Sequence, residues 1–377
     1  MKVKIDFKAI SHLANAYRPK GVESYSCVEV DDIDAGNPYL PVYLREWSFL
    51  VAVGGSLTLR LKNPRKSYRL LRLCDIFIQS FKLVNPVSGC EPAKEIRLCK
   101  QSSDFHPDDC ISKWTIGLIT NGSRPEFVEK FCSCLSSQNV PIVELIICGF
   151  LEQAQLSSLR SLLGGRGMSL RYIEFKEKDE LGWITRKKNI VCKSATYQNI
   201  AIFHDRFVLE HDWYIEVKKY GKKFDALAVK NIGPTGKRQQ DWAYITNHYS
   251  RLHNFSVRHD LLRPYLLNSE DWSPNGYISG GVTVLKKRCW EAAAWDDRLF
   301  WVEGEDVVLS NNLLQAGYVS RYANTIVVKS LVEKGSGAIE LRFGEGATGL
   351  RLVNKFKDCV SIYIRSIPLL RRMVYSD

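Results

Sequence analysis

From Trp114 onward the chain alternates short apolar runs with amphipathic stretches. WTIGLITNG starts as a continuous apolar run and ends in a polar Asn-Gly-Ser turn, after which Pro125 opens the helical pattern PEFVEKFCSCLSSQ. VELIICGF, SLRYIEF and NIAIFHDRF are three further runs of strand length, separated by helical stretches. Runs that are apolar at successive positions suit strands covered on both faces, and their alternation with helices predicts an α/β fold with a mostly parallel sheet. Ligands of such sheets bind at the carboxyl ends of the strands, where two polar segments fall: Asn121-Gly122-Ser123-Arg124 and His204-Asp205-Arg206.

Upstream, YLREWSFLVAVGGSLTLRL (residues 43–61) reads as helix, tight Gly54-Gly55 turn and strand, followed by the basic helical stretch SYRLLRLCDIFIQSFKLV. The pattern resembles the late part of a methyltransferase-like Rossmann domain. No glycine-rich loop after a first strand precedes it, and that loop is what would hold a nucleoside cofactor. The expectation for residues 1–86 is therefore a small accessory α/β domain, with residues 87–113 as a linker or covering segment. The main domain is expected over 114–335 and a basic helical tail over 336–377. That tail mixes Lys and Arg with Ile, Leu, Val and Tyr, and Pro368 would break or kink it. It reads either as an amphipathic segment resting on anionic lipid or as a helix packed on the main domain.

Composition narrows the class. A chain of 377 residues exceeds the usual domain size of roughly 100–150, which fits two domains or one large domain with an appendage. Eleven cysteines are an odd number; Cys132-Ser133-Cys134 is not a CxxC, and no Cys/His set has zinc-ligand spacing. Reduced, mostly buried thiols in a cytoplasmic protein are expected. The start MKVKIDFKAISH lacks the apolar core of a signal peptide, and no apolar run reaches the ~18–20 residues of a membrane span. A net charge of +12 implies an anionic partner: nucleic acid, a membrane surface or a phosphorylated substrate. The basic residues are spread along the chain without a recognisable nucleic-acid module, which weighs against the first.

Four segments carry candidate chemistry. His204, Asp205 and Arg206 stand at a strand end, where a loop salt bridge is the plain alternative. In GWITRKKNIVCKSA, Arg186, Lys187 and Lys188 precede Asn189 at a helix start, an unfavourable place for cations unless an anion sits there; a solvated basic face is the alternative. In NGYISGGVTVLKKRCW, Ser279-Gly280-Gly281 interrupts a strand, as a close-approaching ligand or a bulge would require. In FWVEGEDVVL, Glu305 and Asp306 fall in the first turn of a helix closing at Gly317, which favours acids there but does not account for Glu303 as well.

The order of these pieces resembles the GT-A glycosyltransferases, and most closely the inverting enzymes of the family 2 and β-1,4-galactosyltransferase types. Those carry a Gly-Gly strand followed by a W-G-G-E-D motif, matched here by Gly280, Gly281, Trp301, Gly304, Glu305 and Asp306. The resemblance covers roughly residues 114–325. It implies a GT-A, Rossmann-like fold and transfer of a sugar from a nucleotide-sugar, a UDP-sugar above all, to a glycan hydroxyl in surface polysaccharide or lipopolysaccharide synthesis. Asp306 would be the general base, with Glu305, Trp301, Gly280 and Gly281 on the acceptor side. Asn121, Arg124, Arg186, Asn189, Asp205 and Arg206 would face the donor. The implied cofactor is Mn2+ or Mg2+, yet where the family has D-x-D this chain has one carboxylate, Asp205, beside Arg206, which could take part of the metal's place. The alternative is a non-catalytic nucleotide-sugar or glycan-binding module on a degenerate GT-A scaffold. A lipid-linked acceptor would suit a cytoplasmic protein peripheral to the inner face of the membrane.

Overall fold

A computed structural model of the chain describes residues 2–6, 23–84, 93–105, 109–175, 183–244, 265–267, 276–299 and 304–333. Trp301, Glu303 and the tail over 336–377 lie outside the described residues. The amino-terminal unit holds β1 (Lys2–Asp6), β2 (Tyr25–Ile33), α1 (Leu40–Leu50), β3 (Val51–Leu61), α2 (Ser67–Phe77), β4 (Phe81–Leu83) and β5 (Glu95–Lys100). Its sheet runs β1-β2-β3-β5-β4, parallel across the first three strands and antiparallel thereafter. Val28, Val30, Leu57, Leu59, Ile96 and Leu98 form one apolar face, covered by Trp47 and Leu44 of α1 and by Leu70 and Cys74 of α2.

Two expectations change here. Gly54 and Gly55 do not turn the chain into a new strand; β3 begins at Val51 and runs through them. Tyr25 pairs with Val51 but Cys27 with Ser56, so the glycines form a bulge, and Gly54 takes φ +81° to make it. Residues 95–100, expected within a linker, are β5, inserted between β3 and β4. The alternation of Glu95 and Arg97 with buried Ile96 and Leu98 is the period-2 signature of a strand with one covered face.

The larger unit holds β6 (Lys113–Ile119), α3 (Pro125–Ser136), β7 (Ile142–Gly149), α4 (Gln153–Gly164), β8 (Ser169–Glu174), α5 (Trp183–Ser194), β9 (Asn199–His204), β10 (Phe207–Leu209) and α6 (Trp213–Tyr220). It continues with β11 (Ala226–Ile232), β12 (Trp242–Tyr244), β13 (Tyr265–Leu266), β14 (Gly276–Ile278), β15 (Val282–Lys286), α7 (Lys287–Ala292), α8 (Glu305–Gln315) and β16 (Ser320–Ser330). Eight strands form one sheet in the order β10-β16-β11-β15-β9-β6-β7-β8, and only β10 and β15 run against the rest. The expected mostly parallel α/β sheet is therefore present. β12, β13 and β14 make a small antiparallel sheet beside it.

The chain builds outward from β6 through β7 to β8, then returns to lay β9 on the other side of β6. This reversal sends α3 and α4 to one face and α5 to the other, and leaves a crevice between the carboxyl ends of β6 and β9. Gly117 in β6 sets how close α5 can come: a Cβ there would lie 2.5 Å from Val191 Cγ1. α5 thus rests directly on the strand and carries its basic first turns over the strand ends.

The two units are joined by buried charge. Arg45 of α1 reaches Asp225 at 3.3 Å, with its guanidinium over the rings of Phe49 and Tyr318. Arg288 binds Asp109 at 2.7 Å and approaches Asp225 at 3.5 Å, while the Val319 amide donates to Asp225. Burial opposes ionisation of Asp225, but Arg45, Arg288 and the Val319 amide hold its carboxyl below the usual range. Arg321 of β16 donates to Glu46 of α1 in a fully buried pair. Apolar packing of Val42 on Leu314 and Val319 completes the contact.

Burial pushes the Glu46 carboxyl up to about 7 from its ordinary 4.5, with Arg321 pulling the other way. A folded value above the unfolded one means that the protonated acid favours the fold. Stability present below the unfolded value is lost as pH rises through the folded one. Urea melts should show the wild type losing on the order of 3 kcal/mol between pH 4.5 and 8 that Glu46→Gln does not lose. Parallel pH profiles for the two proteins would contradict this.

Candidate active site

A cavity of about 160 Å³ opens at the β6–β9 crevice, walled by Thr120, Asn121, Arg124, Trp183, Asp205 and Arg206 among others. The Asp205 amide donates to Ile119 O at 3.1 Å, which locks the two strand ends together. Its Oδ2 accepts from Thr120 Oγ1 at 2.7 Å, and Thr120 Oγ1 in turn accepts from the Gly122 amide at 3.0 Å. Burial pushes the Asp205 carboxyl upward, against the Thr120 hydrogen bond and the charges of Arg124, Arg206 and Lys187. Asn121 Oδ1 accepts from the amide and hydroxyl of Ser123, so it shapes the loop that leads into α3. Burial pulls the Arg206 guanidinium below its ordinary value, and the nearby Arg124 adds to the effect.

The strand break at Ser279-Gly280-Gly281 joins this crevice to the acid pair. Gly281 O accepts from the His204 amide at 3.0 Å; a Cβ on Gly281 would meet the Phe207 ring at 2.6 Å and Arg206 Nη2 at 3.3 Å. Beside it, four residues close a hydrogen-bonded ring. Lys188 Nζ donates to Gly280 O at 2.8 Å and to Glu305 Oε1 at 2.7 Å. The Asp306 amide donates to Glu305 Oε2 at 2.7 Å, and the Gly280 amide donates to Asp306 Oδ2 at 2.9 Å. A Cβ on Gly280 would fall 2.2 Å from Glu305 Oε1, so a larger residue there would push the carboxylate out of the ring. Gly304, at φ +72° and ψ +49°, turns the chain into α8 so that both acids arrive in its first turn, as expected.

The ring separates the roles of the two acids. Both oxygens of the buried Glu305 are engaged, one by an ammonium. Asp306 is half-exposed; its Oδ2 accepts from the Gly280 amide and its Oδ1 from the Val307 amide. Asp306 is thus the more accessible carboxylate of the pair.

Other candidates land elsewhere. Lys187 is buried between the rings of Phe175 and Trp183 and donates to Thr120 O at 2.6 Å. Asn189 clasps the stretch after α7: its Nδ2 donates to Trp295 O and Asp297, and its Oδ1 accepts from Trp290 Nε1 and the Trp295 amide. Neither Asn189 nor the half-buried Arg186 lines the cavity. Thr120 and Trp183 lie inside segments singled out in the sequence but were not themselves anticipated as site residues; the partner of Lys188 was not anticipated either.

The donor set at Asp205 is a poor match for Mn2+ or Mg2+. Among the described residues no group of three His, Cys, Asp or Glu could hold a metal, and Asp205 is the one carboxylate in the cavity wall. One of its oxygens is engaged and its charged neighbours are the Arg124 and Arg206 guanidinium groups and the Lys187 ammonium, whereas these ions take an oxygen shell of carboxylates, phosphates and water.

Removing the Lys188 ammonium alone would leave Glu305 buried without its counter-charge. Lys188→Met should cost about 3–5 kcal/mol in denaturant melts, and adding Glu305→Gln should recover most of that. Equal losses in the single and double variants would show that the pair does not couple.

No protein-family model matches the chain, and no curated protein sequence does. Solved structures resemble it at low identity. A mannosyltransferase from Pyrobaculum calidifontis, in complex with GDP-Man and Mn2+, is 16% identical over 71% of this chain and 68% of that one, with a TM-score of 0.42. GalNAc-T7 with UDP, GalNAc and Mn2+ is 11% identical over 65% of this chain and 48% of that one, with a TM-score of 0.43. Residues 1–349 of S. aureus TarS are 8% identical over 58% of this chain and 60% of theirs, with a TM-score of 0.38.

Proposed function

We propose that the chain is an inverting glycosyltransferase that moves a sugar from a nucleotide-sugar, a UDP-sugar above all, to a glycan hydroxyl. The observation that carries this reading is the Gly280-Gly281 link. It brings a strand-end crevice holding Arg206 beside a half-exposed carboxylate that is oriented at the start of α8. In the reaction the acceptor oxygen attacks the anomeric carbon from the face opposite the diphosphate. The new C–O bond forms as the bond to the phosphate oxygen breaks, and that electron pair leaves with the nucleoside diphosphate. Asp306 takes the hydroxyl proton as general base. Lys188 and Glu305 hold Asp306 and Gly280 in register, so Glu305 acts through positioning more than by binding acceptor hydroxyls as first expected.

The donor would lie at the β6–β9 crevice, its base and ribose over the Asn121–Arg124 loop and its diphosphate toward Arg206. Trp301, three residues before Gly304, is assigned to acceptor stacking from the motif resemblance alone. The net charge of +12 and the basic tail support an anionic, lipid-linked acceptor in surface polysaccharide or lipopolysaccharide synthesis, met at the inner face of the membrane.

A screen of UDP-, GDP-, CMP- and dTDP-sugars for donor hydrolysis or transfer would find the substrate. On it, Asp306→Asn should lower turnover by about 10²–10⁴-fold while calorimetric binding of the nucleotide is kept. Full turnover in that variant would sink the assignment. Nucleotide binding without turnover on any donor would favour the binding-module alternative.

A further inference from the structure

The cavity that would receive the donor diphosphate is built for an anion, and we infer that it binds the diphosphate through Arg206 and Arg124 without a divalent cation. This rests on the nucleotide-sugar reading above and specifies how its donor is held.

Arg206 Nε is buried and has no hydrogen-bond partner among the described residues. An unmade buried N–H costs about 1–3 kcal/mol, which an incoming acceptor oxygen would relieve. The side chain is held in place before any ligand arrives: its guanidinium lies 5.2 Å from the Phe207 ring centroid, and Gly281, lacking a side chain, lets Nη2 approach the strand. Its own carbonyl accepts from the Leu331 amide at 2.7 Å, which fixes the backbone to the end of β16. A planar fork of donors matches two phosphate oxygens at once, where a lysine would offer a point charge. Arg124 lines the same cavity, one residue before α3 starts at Pro125, so the positive end of that helix adds to its field.

The charge count also closes without a metal. Two guanidinium groups and the Asp205 carboxylate sum to +1 in the cavity wall, with the Lys187 ammonium just behind Thr120. A sugar diphosphate brings two negative charges, so the filled site is near neutral. A divalent cation in addition would be placed among like charges. Asp205 then has a different task from the one the D-x-D resemblance suggests. Pinned by Thr120, it offsets the mutual repulsion of Arg124 and Arg206 while the cavity holds no anion.

Titration calorimetry of the full chain with UDP and with GDP, in EDTA and then in Mn2+, tests this. At least one nucleotide should bind in EDTA, and its Kd should change by less than about threefold on adding Mn2+. Arg206→Lys, which keeps the charge but loses the fork, should weaken binding by about tenfold or more, as should Arg124→Ala, an exposed loop position. Asp205→Asn can still accept from Thr120 and removes a negative charge from an anion site, so binding should be kept or tightened. Binding that appears only with Mn2+ and vanishes in Asp205→Asn would overturn the inference while leaving the donor reading intact. Absence of nucleotide binding in every condition would remove both.

Discussion

A buried ammonium next to a glycine organises the candidate site. Lys188 has no accessible surface, and a charge so placed is tolerated only with full compensation. Glu305 supplies the counter-charge and Gly280 the carbonyl, and the ring they close includes the amide that holds Asp306. Three parts of the chain distant in sequence, α5, the β14–β15 junction and the start of α8, are therefore fixed by one set of hydrogen bonds. The ring exists only because Gly117 lets α5 down onto β6 and Gly280 leaves space for a carboxylate.

Electrostatics elsewhere follows the same rule of paired burial. Asp225 is wholly enclosed, yet Arg45, Arg288 and the Val319 amide keep it ionised. Lys286 donates to Asn199 and lies near Asp109, and burial still lowers its ammonium to about 8. Among the described thiols, burial pushes Cys148 up to about 11 and Cys132 up to about 12, which leaves these two as unreactive packing groups, whereas the Ser112 hydrogen bonds lower the Cys110 thiol.

Much of the main sheet could be read from the sequence, because β6, β7 and β9 are apolar at successive positions and β6 and β7 are each followed by a helical period. The acids at the start of α8 and the broken strand at Ser279-Gly280-Gly281 were also legible, since both signals are local. β5 was not, because EIRLCK is only six residues long and sits in polar surroundings whose partner strand is far away in sequence. A Gly-Gly pair looks the same in a turn and in a bulge, and β2 alone decides between them. The three adjacent cations of α5 were indistinguishable as residue types. Rotation of the helix on Gly117 turns Lys187 and Lys188 inward, to different partners, and no periodicity reveals that.

The shared hub at Asp225 bears on whether this chain is modular. Val42 packs on Leu314 at the far end of α8, Arg45 pairs with Asp225, and Glu46 accepts from Arg321 of β16. Cutting the chain between the units would bare an apolar patch behind the helix that carries the acids and strand ionised groups in the interior. The amino-terminal unit is thus a buttress for α8 and not a detachable accessory. Recombining the larger unit with a foreign amino-terminal partner would require that partner to reproduce an arginine and a carboxylate on consecutive residues of a docked helix.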